Sequence, residues 1–280
     1  MRHGLVRVVA AGLWLVVLGV PPPAAFAGQA GEIPEEVSLP STLVTEGVLP
    51  ATEAEGTFTL AKSRTERTYG FGFSSLQYAP VPSFSLKLAV PFVVRDPRDT
   101  EPTVGGIGDV SLMAKYAPLL LPAQQFALGG GVKLTFPTGS ERRELGGKLA
   151  IAPFLAAGKG FGPFSLQADV FYSWQLNRDA TIPAEEEGEE SIRPAKEQAV
   201  TANLTGTYAV LERLGLILEL NSVTIIKGED PLKERVQLYL TPGVSVQPAK
   251  GWDLRGGIQL PVTSAKAFDY NLIVILTKGF

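Results

Sequence analysis

The chain has no cysteine and a single histidine, His3, among its 280 residues. Without cysteine there are no disulfides, thiolate metal sites, cysteine nucleophiles or N-terminal lipid-modified cysteines. With the one histidine in a segment expected to be removed, Ser-His, Asp-His and Cys-His catalysis all lose their base, and histidine-containing metal sites go too. A Ser–Lys dyad stays formally open, but no motif points to one. The chain therefore reads as a non-enzyme that needs no cofactor and no metal. Beyond residue 27 there is also no apolar run of roughly 20 residues, the length a helix needs to cross a bilayer. Mean hydropathy is nonetheless mildly positive, and that apolar mass lies in short alternating segments.

The start of the chain carries Arg2 and Arg7, an apolar stretch over 8–20, Pro21-Pro22-Pro23 and then Ala25-Phe26-Ala27. A basic start, a short apolar middle and an Ala-x-Ala end predict a secretory signal peptide over 1–27, cleaved after Ala27. Cleavage removes two of the 25 basic residues and no acid, leaving 23 against 28 acidic residues and a net charge of −5. Nucleic-acid binding needs clustered Lys and Arg to displace counterions, so that partner is excluded. Residues 28–53 are rich in Pro, Glu, Ser, Thr and Gly. They read as an N-terminal periplasmic arm, free or tucked into a lumen as a plug, and both alternatives stay open here.

From 54 to 280 the signal is period two. Over 164–177 the residues Phe164, Leu166, Val170, Tyr172 and Trp174 alternate with Ser165, Gln167, Asp169 and Gln175. Side chains of a strand point alternately to opposite faces, so one face is oily and the other polar. The same pattern recurs over 84–94, 110–116, 126–136, 149–155, 200–210, 214–226, 235–247, 252–260 and 268–280. It is weakest over 56–62 and 67–78. The connections 79–83, 118–124, 159–163, 211–213 and 248–251 are short. The alternate connections are mostly longer and more charged, with 63–66 the exception and the run Glu185–Glu190 the most acidic. Long outer loops against short inner turns, with apolar residues outside and polar ones inside, predict an all-β transmembrane antiparallel β-barrel of about twelve strands. Its partners are then outer-membrane lipids and a small-molecule solute, in the outer membrane of a Gram-negative bacterium.

The last strand, 268–280, ends on Phe280. It resembles the closing strand of bacterial outer-membrane barrels, and the resemblance implies that the barrel assembly machinery reads Phe280 as its signal. Lys278 departs from that pattern, and Ile273 and Ile275 interrupt the polar face. Gly105-Gly106-Ile107-Gly108 is followed by an alternating strand rather than a helix, so it reads as a loop-to-strand turn and not as a phosphate cradle. Gly106-Ile107-Gly108-Asp109, a strand running to Lys115-Tyr116, and then Phe136-Pro137-Thr138-Gly139 resemble the outer-membrane family named for the MetA pathway of phenol degradation. That resemblance implies an exported barrel transporting small, often hydrophobic or aromatic compounds.

Inward-facing charges are the functional candidates: Lys87, Asp109, Lys115, Lys133, Lys148, Asp169, Glu219, Asp253, Arg255 and Asp269. In an aqueous lumen they would set selectivity; in a filled one they would pair across the interior and stabilise the wall. The expected function is passive passage or uptake of small molecules. The alternative is a closed docking barrel presenting its outer loops to a partner. Oligomeric state is not legible.

Overall fold

A computed structural model describes residues 36–97, 102–177, 197–228 and 232–280. The expected signal peptide, the start of the arm and the acidic run Glu185–Glu190 lie outside those residues. The described chain folds into 14 strand segments: β1 (Glu53–Lys62), β2 (Glu66–Val81), β3 (Phe84–Ala89), β4 (Phe92–Pro97), β5 (Val104–Ile107), β6 (Ser111–Leu121), β7 (Phe126–Thr135), β8 (Ala150–Phe161), β9 (Phe164–Gln175), β10 (Gln198–Leu211), β11 (Leu214–Lys227), β12 (Val236–Val246), β13 (Trp252–Pro261) and β14 (Tyr270–Gly279). No helix among the described residues is long and apolar enough to cross a membrane; the crossing is made by strands.

All pairings are antiparallel, and β1 pairs with both β2 and β14, which closes the sheet. The strand β2 pairs with β3 along one part and with β4 along the other, because β3 and β4 are one crossing interrupted at Val90 and Pro91. The segments β5 and β6 are likewise one crossing, broken at 108–110. Fourteen segments with two such interruptions make a closed barrel of twelve crossings. Closure matters because an open edge would leave backbone donors and acceptors unpaired in hydrocarbon. The seam is continuous from Glu53↔Gly279 to Lys62↔Tyr270, and the Phe280 N–H donates to the Thr52 carbonyl at 3.1 Å.

The two faces divide as the alternation predicts. In β9, Val170, Tyr172 and Trp174 are exposed while Ser165, Gln167 and Asp169 are buried. In β12, Leu240 and Val244 are exposed opposite buried Gln237 and Thr241. This inverts the arrangement of a soluble protein and gives lipid an apolar belt. Connections at one end are short (82–83, 162–163, 212–213), whereas those at the other are longer (136–149, 176–197, 262–269), with 63–65 again short.

The irregularities that interrupt or bulge a crossing fall on the first half of the wall, while the second half has register steps only near the ends of β10. Pairing of β2 with β1 steps from Glu55↔Ser75 to Gly56↔Phe73, leaving Ser74 extra. A bulge flips parity, so Phe71, Leu76 and Tyr78 all face outward despite their spacing. The strand expected to end at Tyr116 runs on to Leu121 after a second bulge. There Tyr116↔Gly130 is followed by Leu119↔Leu128, with Pro118, which has no N–H to give, inside the step. Opposite, a Cβ on Gly129 would lie 2.7 Å from the Tyr116 carbonyl and 2.9 Å from the Ala117 Cα, so glycine permits the close approach. The segment Val104–Ile107, expected as a turn, is a strand paired with β4, and the turn falls one step later.

Candidate functional site

The inner end of the lumen holds residues 36–52. At one side the Ser38 N–H donates to Gln125 Oε1 at 2.9 Å, and Gln125 Nε2 donates to the Glu36 carbonyl at 3.0 Å; Gln125 lies in the β6–β7 turn. At the other, Thr52 leads into β1 beside Phe280. Between these anchors the segment rises into the barrel and returns to the same mouth, with Thr42, Leu43, Thr45 and Val48 buried.

Its main holder is Glu219, fully buried on β11. The carboxylate accepts the backbone N–H groups of Leu43 at 2.6 Å, Val44 at 2.9 Å and Thr45 at 3.1 Å. Three donors converging on one carboxylate satisfy a buried charge without a cation. Asp169, on β9, accepts the Glu46 N–H at 2.6 Å and Asn203 Nδ2 at 2.8 Å. The Glu46 side chain bridges Lys115 at 2.6 Å and Lys87 at 3.1 Å, and Lys115 also donates to the Gly47 carbonyl at 2.6 Å. Arg255 donates to the Thr42 carbonyl, to Glu55 at 2.9 Å and to Thr277, with Asp253 at 3.2 Å from its Nε. The structure thus places Lys87, Lys115, Asp169, Glu219, Asp253 and Arg255 on the lumen wall. Most of these charges are answered by residues 42–47 rather than by the opposite wall. Lys133 also faces inward from β7, without an ion pair among the described residues.

Three candidates lie outside the strand segments: Asp109 in the break at 108–110 between β5 and β6, Lys148 just before β8 and Asp269 just before β14. Asp109 accepts the N–H groups of Gly139 at 2.9 Å, Gly147 at 2.8 Å and Lys148 at 2.9 Å. Next to it, the Thr138 hydroxyl donates to the Gly108 carbonyl at 2.9 Å and accepts the Val110 N–H at 2.8 Å. The two motifs read in sequence are therefore halves of one clasp that orders the β7–β8 loop. Lys148 pairs with Glu197 at 2.9 Å. Asp269 pairs with Lys266 at 2.6 Å, and that hydrogen bond holds its carboxyl below the usual range.

Sequence reasoning left open whether residues 28–53 enter the lumen and named none of 42–49 as site residues, and it passed over Glu55. A signal was present in the apolar residues that break the polar face. Ile217, Ile273 and Ile275 enclose Leu43, while Met113, Ala127, Phe154 and Ala156 pack with Val48. At Gly257 a Cβ would come within 2.5 Å of Leu43 Cδ1, so the wall is hollowed for that side chain. Beyond the segment's tip runs a belt of amides and a hydroxyl: Asn221 donates to Asn203 at 3.1 Å, Thr241 to Asn221 at 2.7 Å and Gln259 to Asn221 at 3.2 Å. A cavity of about 390 Å³ remains at the inner mouth between segment and wall, lined among others by Glu46, Glu53, Lys87, Lys115 and Arg255. No group of His, Cys, Asp and Glu among the described residues could hold a metal ion.

A family profile described as "Putative MetA-pathway of phenol degradation" matches residues 51–275. The fold is similar to that of the COG4313 outer membrane channel from Pseudomonas putida F1, with a TM-score of 0.65 and 15% identity over 90% of this chain and 99% of that one. A KdgM porin superposes with a TM-score of 0.49 and 12% identity, over 81% of this chain and 99% of that one. No curated protein sequence matches significantly.

Proposed function

This chain belongs to the family described as the MetA-pathway of phenol degradation, and from that premise we propose that it is an outer-membrane channel for small molecules, closed at rest by residues 36–52. The apolar belt and the edgeless sheet suit a lipid bilayer, and this barrel type suits the outer membrane. The family description supports aromatic compounds among the solutes. One observation carries the channel reading. The buried side chains of Glu219, Asp169 and Lys115 are bound by a single segment that enters and leaves through one mouth, and Arg255 is shared between that segment and the wall acids Glu55 and Asp253. Charges that only stabilised the wall would pair with one another across it. Here the interior empties when one segment moves, and water can take over the hydrogen bonds that it leaves behind.

Planar-bilayer recording tests this with the full chain and with Glu219→Ala, which removes the acceptor of three N–H groups of the segment. The expected result is reproducible single-channel steps, with higher open probability in the variant. A folded barrel that stays silent in both forms would favour the docking alternative.

A further inference from the structure

Residues Glu46 to Leu49 present a carboxylate followed by two aliphatic side chains, and the wall receives each part separately. The carboxylate lies between Lys115 and Lys87. Val48 is seated on Met113, Ala127, Phe154 and Ala156, with Leu49 and Phe171 packed against the same cluster. The Phe154 and Phe171 rings stack with centroids 4.6 Å apart. The cationic and apolar parts interlock. Lys87 is in register with Met113, and Met113 with Lys133, so the two lysines flank the methionine in one row across β3, β6 and β7. Lys115 lies on the same face of β6, one step nearer the inner mouth.

We propose that this wall is a binding station for carboxylates with an apolar body, such as arylalkanoates, and that Glu46, Val48 and Leu49 occupy it as an internal stand-in for the solute. The proposal rests on the channel reading and supplies its solute class. Three features separate a station from a structural ion pair. First, Lys133 brings a third cation to the row and has no ion pair among the described residues, so cations exceed what Glu46 alone needs. Second, the direct ion pairs of Lys87 and Lys115 are both with Glu46, while Glu55 pairs with Arg255, which also lies close to Asp253, so among the described residues Glu46 is the acid in contact with these lysines. Third, the apolar surface lies beside the lysines on the lumen face, where an apolar patch open to water would be unfavourable. A solute that brings both a carboxylate and an apolar body replaces both contacts of the segment at once. A solute with only one of them leaves the other contact in place. Occupancy by solute and by the segment then exclude each other, so the solute that fits the station is also the one that opens the path.

The test uses the full-length barrel in detergent, with 3-phenylpropanoate as probe. Its neutral counterpart 3-phenylpropanol and acetate at equal ionic strength are the controls. Binding is measured by calorimetric titration. A spin label on Ser41→Cys, the sole cysteine of that variant, reports release of the segment. The expected result is saturable binding of 3-phenylpropanoate, at least about tenfold weaker binding of either control, and greater label mobility with the carboxylate alone. Glu46→Gln removes the competing charge and should tighten binding by roughly tenfold, since apparent affinity is reduced by the fraction of sites already occupied. Lys115→Met should abolish binding. If that variant fails to fold, Lys133→Met, which breaks no ion pair, should weaken binding several-fold. Equal binding of acid and alcohol, no binding by Glu46→Gln, or binding unchanged in a folded Lys133→Met barrel would overturn the proposal. Channel currents with any of those results would leave the channel reading intact. Carboxylate binding to a barrel that never conducts would sink the channel reading and keep the station.

Discussion

The wall from β8 to β14 and the wall from β2 to β7 are closed by different means. In the first, side-chain alternation runs almost without fault. Each strand pairs with the next over most of its length, with two-residue breaks at Ala152 and Pro153 between β8 and β9 and at Thr241 and Pro242 between β12 and β13, and register steps near the ends of β10. In the second, two bulges, two interrupted crossings and a carboxylate clasp do the work that uniform pairing does elsewhere. The regular half depends on hydropathy at each position; the irregular half depends on particular hydrogen bonds and close approaches.

The largest effect that tests this difference is a charge on the lipid face of the regular half. Leu240 faces outward near the middle of β12. Leu240→Arg should cost about 2–4 kcal/mol at the bilayer midplane and block folding into vesicles. The same substitution at Ser173, which faces inward toward the outer half of β9, should fold normally. Folding is followed by heat-modifiable migration on gels. Equal behaviour of the two variants would reverse the assignment of faces.

In the irregular half the matching test removes one acceptor. Asp109→Ala leaves the N–H groups of Gly139, Gly147 and Lys148 without their carboxylate. A hydrogen bond to a charged group is worth roughly 1.5–3 kcal/mol, so loosening of the β7–β8 loop by about 2 kcal/mol is expected. Hydrogen exchange should rise by more than tenfold at 138–148 and stay unchanged across β9–β13. Exchange that rises throughout the barrel would show that the clasp supports the whole wall and would erase the distinction between halves.

The same division explains what the sequence made legible. In β9, β11 and β12 one residue after another announces its face, so fold, closure and orientation can be read directly. At Ser74 and Pro118 a single extra residue shifts the period by one. In the sequence that looks like noise, because period two has no means of marking a slip. For the site, the inward charges Lys87, Lys115, Asp169, Glu219 and Arg255 were legible from parity, yet their partners lie in residues 42–47, which carry no periodic signal at all. Asp109, Lys148 and Asp269 have the right parity, but Asp109 lies in the break between β5 and β6 and the other two lie just before β8 and β14, and parity says nothing about where a strand stops or is interrupted. The clearest unread clue was apolar: Ile273 and Ile275 look like faults in a polar face until Leu43 is placed between them.

Lys278 supplies the smallest test, since it is an apparent fault in the regular half with no buried partner to excuse it. It sits on the outward face of β14, where a lysine in hydrocarbon would be costly. Its position decides otherwise. It is the penultimate residue of the strand, at the inner rim, and its ammonium lies 5.4 Å from the Trp252 ring centroid and 6.0 Å from that of Phe280. A long side chain at the rim keeps its stem in the apolar layer and its charge in water, and the facing rings add a cation–π attraction. Lys278→Met therefore exchanges a contact worth about 0.5–1 kcal/mol for a modest gain in apolar burial. The net change in urea unfolding from vesicles should be below ~1 kcal/mol, against the 2–4 kcal/mol expected at Leu240. A loss at Lys278 as large as that at Leu240 would mean that the regular half, too, is held by specific contacts at its seam.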